Sequence, residues 1–214
     1  MKKILLGCLT IATLFHMGSA SADSTFALGL KGGTTGVGLD VIYPVNNRLN
    51  LRTGVSGFML SRDFTEEGIK YDADVRLLTV PLFADVHPFG GAFRLTAGGV
   101  LNFNQLEGKA SGTLLIDNTS YPASITATVD WNTFAPYVGL GWGHAFRGGP
   151  LSLTSDFGVL LTGSPNVSIK GTVDDPELQA AFANDLQQEA ANLERELSNL
   201  NFFPVAAIGL SYRF

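Results

Sequence analysis

Nine side chains hold most of the chemistry this sequence could carry out after export. Lys31, Arg52, Arg94 and Arg213 are cations set among glycine, alanine, serine and threonine. Asp40, Asp85 and Asp156 are anions in the same kind of setting, and His87 and His144 stand beside short turns. Gathered in one interior, the seven charges could form a self-neutralising ion-pair network or a polar track for a small solute, because a buried charge is costly unless paired. The histidines could supply a general base or a nucleophile's partner. Neither lies beside a serine and an acid in a recognisable motif, so His87 is expected to cap a turn and His144 to sit at an interface. Two histidines on different hairpins, without cysteine, give no metal-ligand spacing. The 25 glycines are scattered through extended segments rather than gathered in a phosphate loop. No catalytic residue, metal or cofactor is expected, and the chain is expected not to be an enzyme.

The segments that carry these residues alternate with period two. In the last, Phe202, Pro204, Ala206, Ile208, Leu210, Tyr212 and Phe214 form one face, and Phe203, Val205, Ala207, Gly209, Ser211 and Arg213 the other. Similar patterns run over Phe26–Leu30, Val37–Val45, Arg48–Met59, Leu77–Val86, Phe93–Phe103, Phe134–Phe146 and Leu151–Leu161. Short turns at 45–48, 88–91 and 147–150 alternate with long polar connections at 61–72, 106–130 and 162–201, while Gly32–Thr35 is a short connection where the pattern expects a long one. A two-residue turn at Phe89-Gly90 would set Asp85 opposite Arg94. The fold expected is an all-β, eight-stranded antiparallel transmembrane barrel. A soluble barrel hides its apolar face inside. Here the second faces are small enough to crowd a narrow lumen, whereas the apolar faces are large and suit acyl chains. Tyr43, Trp142, Phe146, Tyr212 and Phe214, near strand ends, are expected to form an interfacial girdle.

Lys2-Lys3, the apolar run Ile4–Phe15 and Ala20-Ser21-Ala22 read as a secretory signal peptide over residues 1–22, cleaved after Ala22, with the barrel over 23–214. Only four apolar residues precede Cys8, too few for a lipoprotein box. The leader would remove that single cysteine and two of the 14 basic residues but none of the 19 acidic ones. The formal charge then moves from −5 to −7. A thiol-free acidic chain has no disulfide chemistry and no electrostatic case for nucleic acid. Mean hydropathy is +0.21, yet no apolar run beyond the leader is long enough for a transmembrane helix.

Gly209, Tyr212 and Phe214 match the glycine-x-x-aromatic-x-aromatic ending that resembles the assembly signal of bacterial outer-membrane barrels. With Gly36–Asp40, Asn50–Arg52, Asp85–Gly91, Ala135–Gly139 and Ser211–Phe214, the chain resembles small Gram-negative outer-membrane barrels of the OmpA-domain, OmpX and OmpW type. It is closer still to a broad set of small barrel proteins with no assigned activity. The resemblance implies the outer membrane as compartment, its lipid and lipopolysaccharide as surroundings, and periplasmic chaperones and the barrel-assembly machinery as partners in biogenesis. A monomer is expected, but no activity follows.

The connection 162–201 carries a helix expected over about 175–200, with Asp175 as cap, Pro176 in the first turn, and Leu178, Phe182, Leu186, Ala190, Leu193, Leu197 and Leu200 on one side. It could pack on the barrel mouth, act as a lid, or meet a partner or lipopolysaccharide, though it lacks the Lys/Arg-rich face that binds anionic lipid. A small hairpin is expected over Thr113–Ala127 around Asp117-Asn118. The function expected first is a non-enzymatic structural or surface-interaction barrel with a side-chain-plugged lumen. The alternative is a narrow channel or uptake protein for a small or hydrophobic solute; a lipid-modifying enzyme comes third.

Overall fold

The computed structural model describes residues 26–66, 68–116, 119–173 and 175–214. The leader with its cleavage site, and the hairpin tip Asp117-Asn118, lie outside the described residues.

Eight strands close an antiparallel barrel: β1 (Ala27–Gly33), β2 (Gly36–Asn46), β3 (Leu49–Glu66), β4 (Ile69–Val86), β5 (Phe93–Asn102), β8 (Phe134–Trp142), β9 (Leu151–Leu160) and β11 (Phe203–Arg213). They pair in that order, and β11 returns to β1 with Leu28 opposite Tyr212. Phe26 to Val45 is thus a hairpin and not one long strand. Gly36, at φ 91°, supplies a left-handed conformation at the start of β2. At the opposite end, Asn46 Oδ1 accepts the N–H groups of Arg48 and Leu49 at 2.9 and 3.0 Å, an Asx turn that tightens the β2–β3 link.

Alternation sorts the side chains as the pattern requires. Leu39, Leu82, Val138, Leu153, Ile208 and Leu210 are exposed on the outer wall. Their strand neighbours Asp40, Phe83, Tyr137 and Ser211 are buried inside. Tyr43, Trp142, Tyr212 and Phe214 belong to the outer belt, but Phe146 does not. It lies beyond the end of β8 and packs against Ala27, Ile42 and Ala145 at the turn end of the lumen.

The long connections are more strand than loop. The β3–β4 hairpin continues to Glu66 and Ile69, well past the barrel rim, where loop was expected. Beside it stand β6 (Gln105–Ile116), β7 (Thr119–Asp130) and β10 (Asn166–Val173). β4 changes partner at the rim, pairing with β5 through Thr79 and with β6 from Arg76 onward. The result is a β3-β4-β6-β7-β10 wall rising from one side of the barrel. Thr113–Ala127 does form a hairpin, as part of the larger β6–β7 pair.

Helix α1 (Gln179–Leu197) packs on the wall face that continues the lumen, burying Phe182 and Leu186 with Ala123 and Val173. It starts later than expected. Asp175 Oδ1 accepts the Glu177 N–H at 2.9 Å, Pro176–Leu178 make a turn, and the helix proper begins at Gln179. Gln179 and Glu194 accept the N–H groups of Val173 and Val167, at 3.3 and 3.0 Å. The helix thereby satisfies donors on the edge strand β10, which would otherwise invite pairing with another chain.

Candidate functional site

Midway down the lumen, six of the seven expected charges meet. Arg52, on β3, is the hub. Its Nε and Nη2 donate to the two carboxylate oxygens of Asp85 at 2.8 and 3.1 Å, and its Nη1 and Nη2 to those of Asp156 at 3.1 and 3.0 Å. Nη1 also reaches Asp40 at 3.4 Å, and the guanidinium lies over the Phe83 ring at 5.1 Å. Only the planar fork of arginine can address two carboxylates edge-on at once. Arg94 donates to Asp156 at 2.8 Å and to the carbonyls of Gly143 and Ser155, and Lys31 holds Asp40 at 2.8 Å. Three cations thus face three anions, all largely shielded from solvent.

The glycines explain how such large groups fit. Across neighbouring strands Gly141 stands between Arg94 and Asp156, while Asp40 stands between Gly29 and Gly54. A Cβ at Gly141 would lie 2.3 Å from the Ser155 carbonyl oxygen and 3.1 Å from Arg94 Nε, crowding the side chain where it crosses β8 to its partner. Gly139 similarly makes room for the Tyr137 ring; a Cβ there would sit 2.5 Å from the phenol oxygen.

Two placements differ from the sequence reading. The β4–β5 turn spans His87 to Ala92, not two residues, so Asp85 lies opposite Thr96 rather than Arg94. Thr96 Oγ1 donates to Asp85 at 2.6 Å, and Arg94 Nε is 3.7 Å from the same carboxylate on the diagonal. Arg213 stands apart from the cluster. Its guanidinium donates to the carbonyls of Phe146 and Gly148 at 3.0 and 3.3 Å, tying β11 to the β8–β9 turn.

No family model matches the sequence, and no curated protein does either. Solved structures do share the architecture. CarO2 of Acinetobacter baumannii superposes with a TM-score of 0.59 at 21% identity, covering 88% of this chain and 98% of that one. CarO of the same organism superposes with a TM-score of 0.58 at 20% identity, covering 90% and 98%. At such identity the likeness establishes the closed eight-stranded barrel.

Below the charged layer, toward the turn end, the rings of His87 and His144 stack at 4.0 Å between centroids, both buried. Sequence reasoning treated them singly; nothing in their spacing announced the contact. His87 Nδ1 lies 3.1 Å from the Gly91 carbonyl and Nε2 lies 3.2 Å from Asn50 Nδ2. That pairing requires a neutral ring, with Nδ1 donating and Nε2 accepting. His144 Nδ1 accepts the Phe146 N–H at 3.2 Å. Burial pushes His144 down to about 4, with the neighbouring His87 and then Arg147 and Arg94 adding to the effect against the Asn47 carbonyl. Burial likewise holds His87 below its ordinary value, and Arg94 adds to it. No hydroxyl nucleophile joins the pair in a hydrogen bond, and among the described residues no three histidine, cysteine or acidic side chains converge on a metal position.

Above the charged layer, Phe83, Val100, Ala135, Tyr137 and Leu160 fill the lumen, with Phe83 and Tyr137 stacked at 4.5 Å. A cavity of about 20 Å³ adjoins the charges, and one of about 30 Å³ lies among the apolar layer. Each has room for about one water.

Proposed function

We propose that this chain is a non-enzymatic outer-membrane barrel, exported behind the leader 1–22, that passes a small solute through a narrow lumen closed at rest by its own side chains. The observation that carries this reading is the nature of the closure. The lumen is stopped by the Arg52 layer and the Phe83–Tyr137 layer, with small cavities beside each. These are rotatable side chains, not a folded plug. An apolar outer wall and the aromatic residues at its turn end support the membrane setting. In this reading Gly209, Tyr212 and Phe214 form the signal read by the barrel-assembly machinery, lipopolysaccharide and lipid surround a monomer, and the β6–β7–β10 wall with α1 faces outward.

The test is flux. Purified protein in liposomes should exclude sugars and show no steady conductance in planar bilayers. Arg94→Ala combined with Asp156→Ala removes one cation and one anion and should raise permeability to small polar solutes. A folded double variant as tight as the parent would refute it. One observation favours a second reading, a permanently plugged structural barrel: Arg52 chelates two carboxylates bidentately, an arrangement well suited to staying shut. That reading is the one left standing if the flux test fails.

A further inference from the structure

The wall that rises above the rim encloses a pocket quite unlike the lumen. Its volume is about 450 Å³, and its apolar lining includes Val75, Leu77, Leu106, Trp131, Leu200 and Phe202. Strand parity puts Val75 and Leu77 on the same face of β4 as Phe83 and Asp85, with Leu106 opposite Val75 on β6, so the pocket lies over the mouth of the barrel. Among the described residues, no charged side chain lines it. The segment between α1 and β11 forms its other side and is held there by hydrogen bonds. Trp131 Nε1 donates to the Leu200 carbonyl at 3.3 Å, Gly163 N–H to that of Asn201 at 3.1 Å, and Thr34 Oγ1 to that of Pro204 at 3.0 Å. These ties preform the pocket rather than leaving it to be assembled by a ligand.

We infer that this pocket binds a small, neutral, mainly apolar molecule bearing one hydrogen-bond acceptor. Size sets the upper limit: the volume falls in the range of small-molecule sites and is about three times that of a protein cavity known to take benzene. The absence of charge sets the neutrality, since an ion would lose its hydration with nothing to replace it. Asn104 supplies the polar contact. It lines the pocket, and its Oδ1 accepts the Leu78 N–H at 2.9 Å, which fixes the amide and makes its Nδ2 the group that would meet a ligand's acceptor. The pocket lies between the wall and the barrel rim and shares no residue with the Arg52 layer, so the inference stands whether or not the lumen opens.

Trp131 provides the assay. The sequence has two tryptophans, and the other, Trp142, is on the outer wall. In a Trp142→Phe background, 4-bromoacetophenone should quench Trp131 saturably, with half-saturation on the order of 100 µM or tighter. 4-Bromobenzoate, of similar size but anionic, should bind at least tenfold more weakly. Leu106→Arg and Leu77→Arg, each placing a charge in the pocket outside the closed barrel, should weaken the neutral probe at least tenfold while heat-modifiable gel mobility is retained. Trp131→Phe leaves Trp142 to report partitioning into the detergent belt, where quenching should be linear. Linear quenching at Trp131, equal response to both probes, or saturation unchanged by both arginine variants would each overturn the proposal. A closed lumen in the flux test would not.

Discussion

Arg52→Met offers the sharpest perturbation of the charged layer. Methionine keeps much of the stem and some contact with Phe83, so packing loss is small. What disappears is five hydrogen bonds to Asp85, Asp156 and Asp40. Two cations then face three anions, and Asp85, which keeps Thr96 and a distant Arg94 Nε, loses both of its close cationic contacts. Breaking a buried pair from one side costs about 3–5 kcal/mol. With a urea dependence of about 2 kcal/mol per molar, the unfolding midpoint should fall by roughly 2 M. The assay is urea unfolding in lipid vesicles, followed by tryptophan fluorescence and by gel mobility without heating. The decisive comparison is Arg52→Met with Asp85→Asn. Removing one anion with the cation restores two against two, and at least half the lost stability should return. If the single variant unfolds within about 0.5 M of the parent, or the double variant is no better than the single, charge pairing does not hold this layer together.

Three further outcomes are expected. The stacked histidines titrate below their ordinary value when folded and near 6.5 when unfolded, so protonation favours the unfolded chain. Stability should therefore be level above pH 7 and fall as pH drops through 6.5 toward 4, by less than about 1.4 kcal/mol per pH unit per ring; His144→Gln should flatten the decline measured between pH 7.5 and 5. Gly139→Ala should cost about 1–3 kcal/mol by pushing on the Tyr137 ring and the Phe157 carbonyl, and in a Tyr137→Ala background the same substitution should cost measurably less by urea midpoint, with the Phe157 contact remaining. Phe182→Ala should cost the wall about 3–5 kcal/mol, exposing 175–200 to limited proteolysis while the barrel keeps its heat-modifiable mobility.

The barrel strands were legible because period two is their only requirement, and a bilayer outside makes the pattern louder than in a soluble protein. Leu39, Leu82 and Ile208 declare the outer wall with no help from context. The wall above the rim was less legible for a related reason. Met59 to Glu66 mixes charged and apolar residues on both faces, so its partner Lys70 to Arg76 had no matching strand to pair with, although Tyr71, Ala73 and Val75 alternate cleanly with Lys70, Asp72, Asp74 and Arg76. β10 was an avoidable omission. Val167, Ile169 and Val173 alternate with Ser168, Lys170 and Thr172, a strand pattern overlooked inside a connection dominated by its helix. The six gathered charges could be named from sequence but not arranged. Turn length fixes register, and the longer β4–β5 turn shifts every contact across that hairpin. Arg213 shares the parity of its fellows but sits too near the turn end to join them. Parity says which face a side chain takes, while depth along the barrel depends on shear, which the alternation does not encode.

Depth also separates the molecule into parts that fold on different terms. The apolar cluster under α1, the cluster around Tyr137 and the cluster around Ala27 share no residue. Between the first two lie Phe103-Asn104, Trp131–Thr133 and Leu161–Pro165, where β5, β8 and β9 give way to β6, β7 and β10. Breaks at one level in three adjacent strands make a joint. Phe103 N–H to the Leu78 carbonyl at 2.9 Å and Leu78 N–H to Asn104 at 2.9 Å keep β4 attached across it. Among the described residues, only β3 and β4 cross the joint as uninterrupted strands. A disturbance in the wall can therefore travel to the lumen along β4, whose next inward residues are Thr79, Pro81, Phe83 and Asp85, or through Phe203, which lines the mouth pocket and packs against the Phe83–Tyr137 cluster. If occupancy of the mouth pocket affects closure of the barrel, the physical routes are Leu77 and Phe83, six residues apart on one strand face, and Phe203, shared by the pocket and the apolar layer. A ligand that saturates Trp131 quenching should then change the flux of the Arg94→Ala, Asp156→Ala variant. If that variant carries flux and the ligand leaves it unchanged, the joint uncouples the two parts.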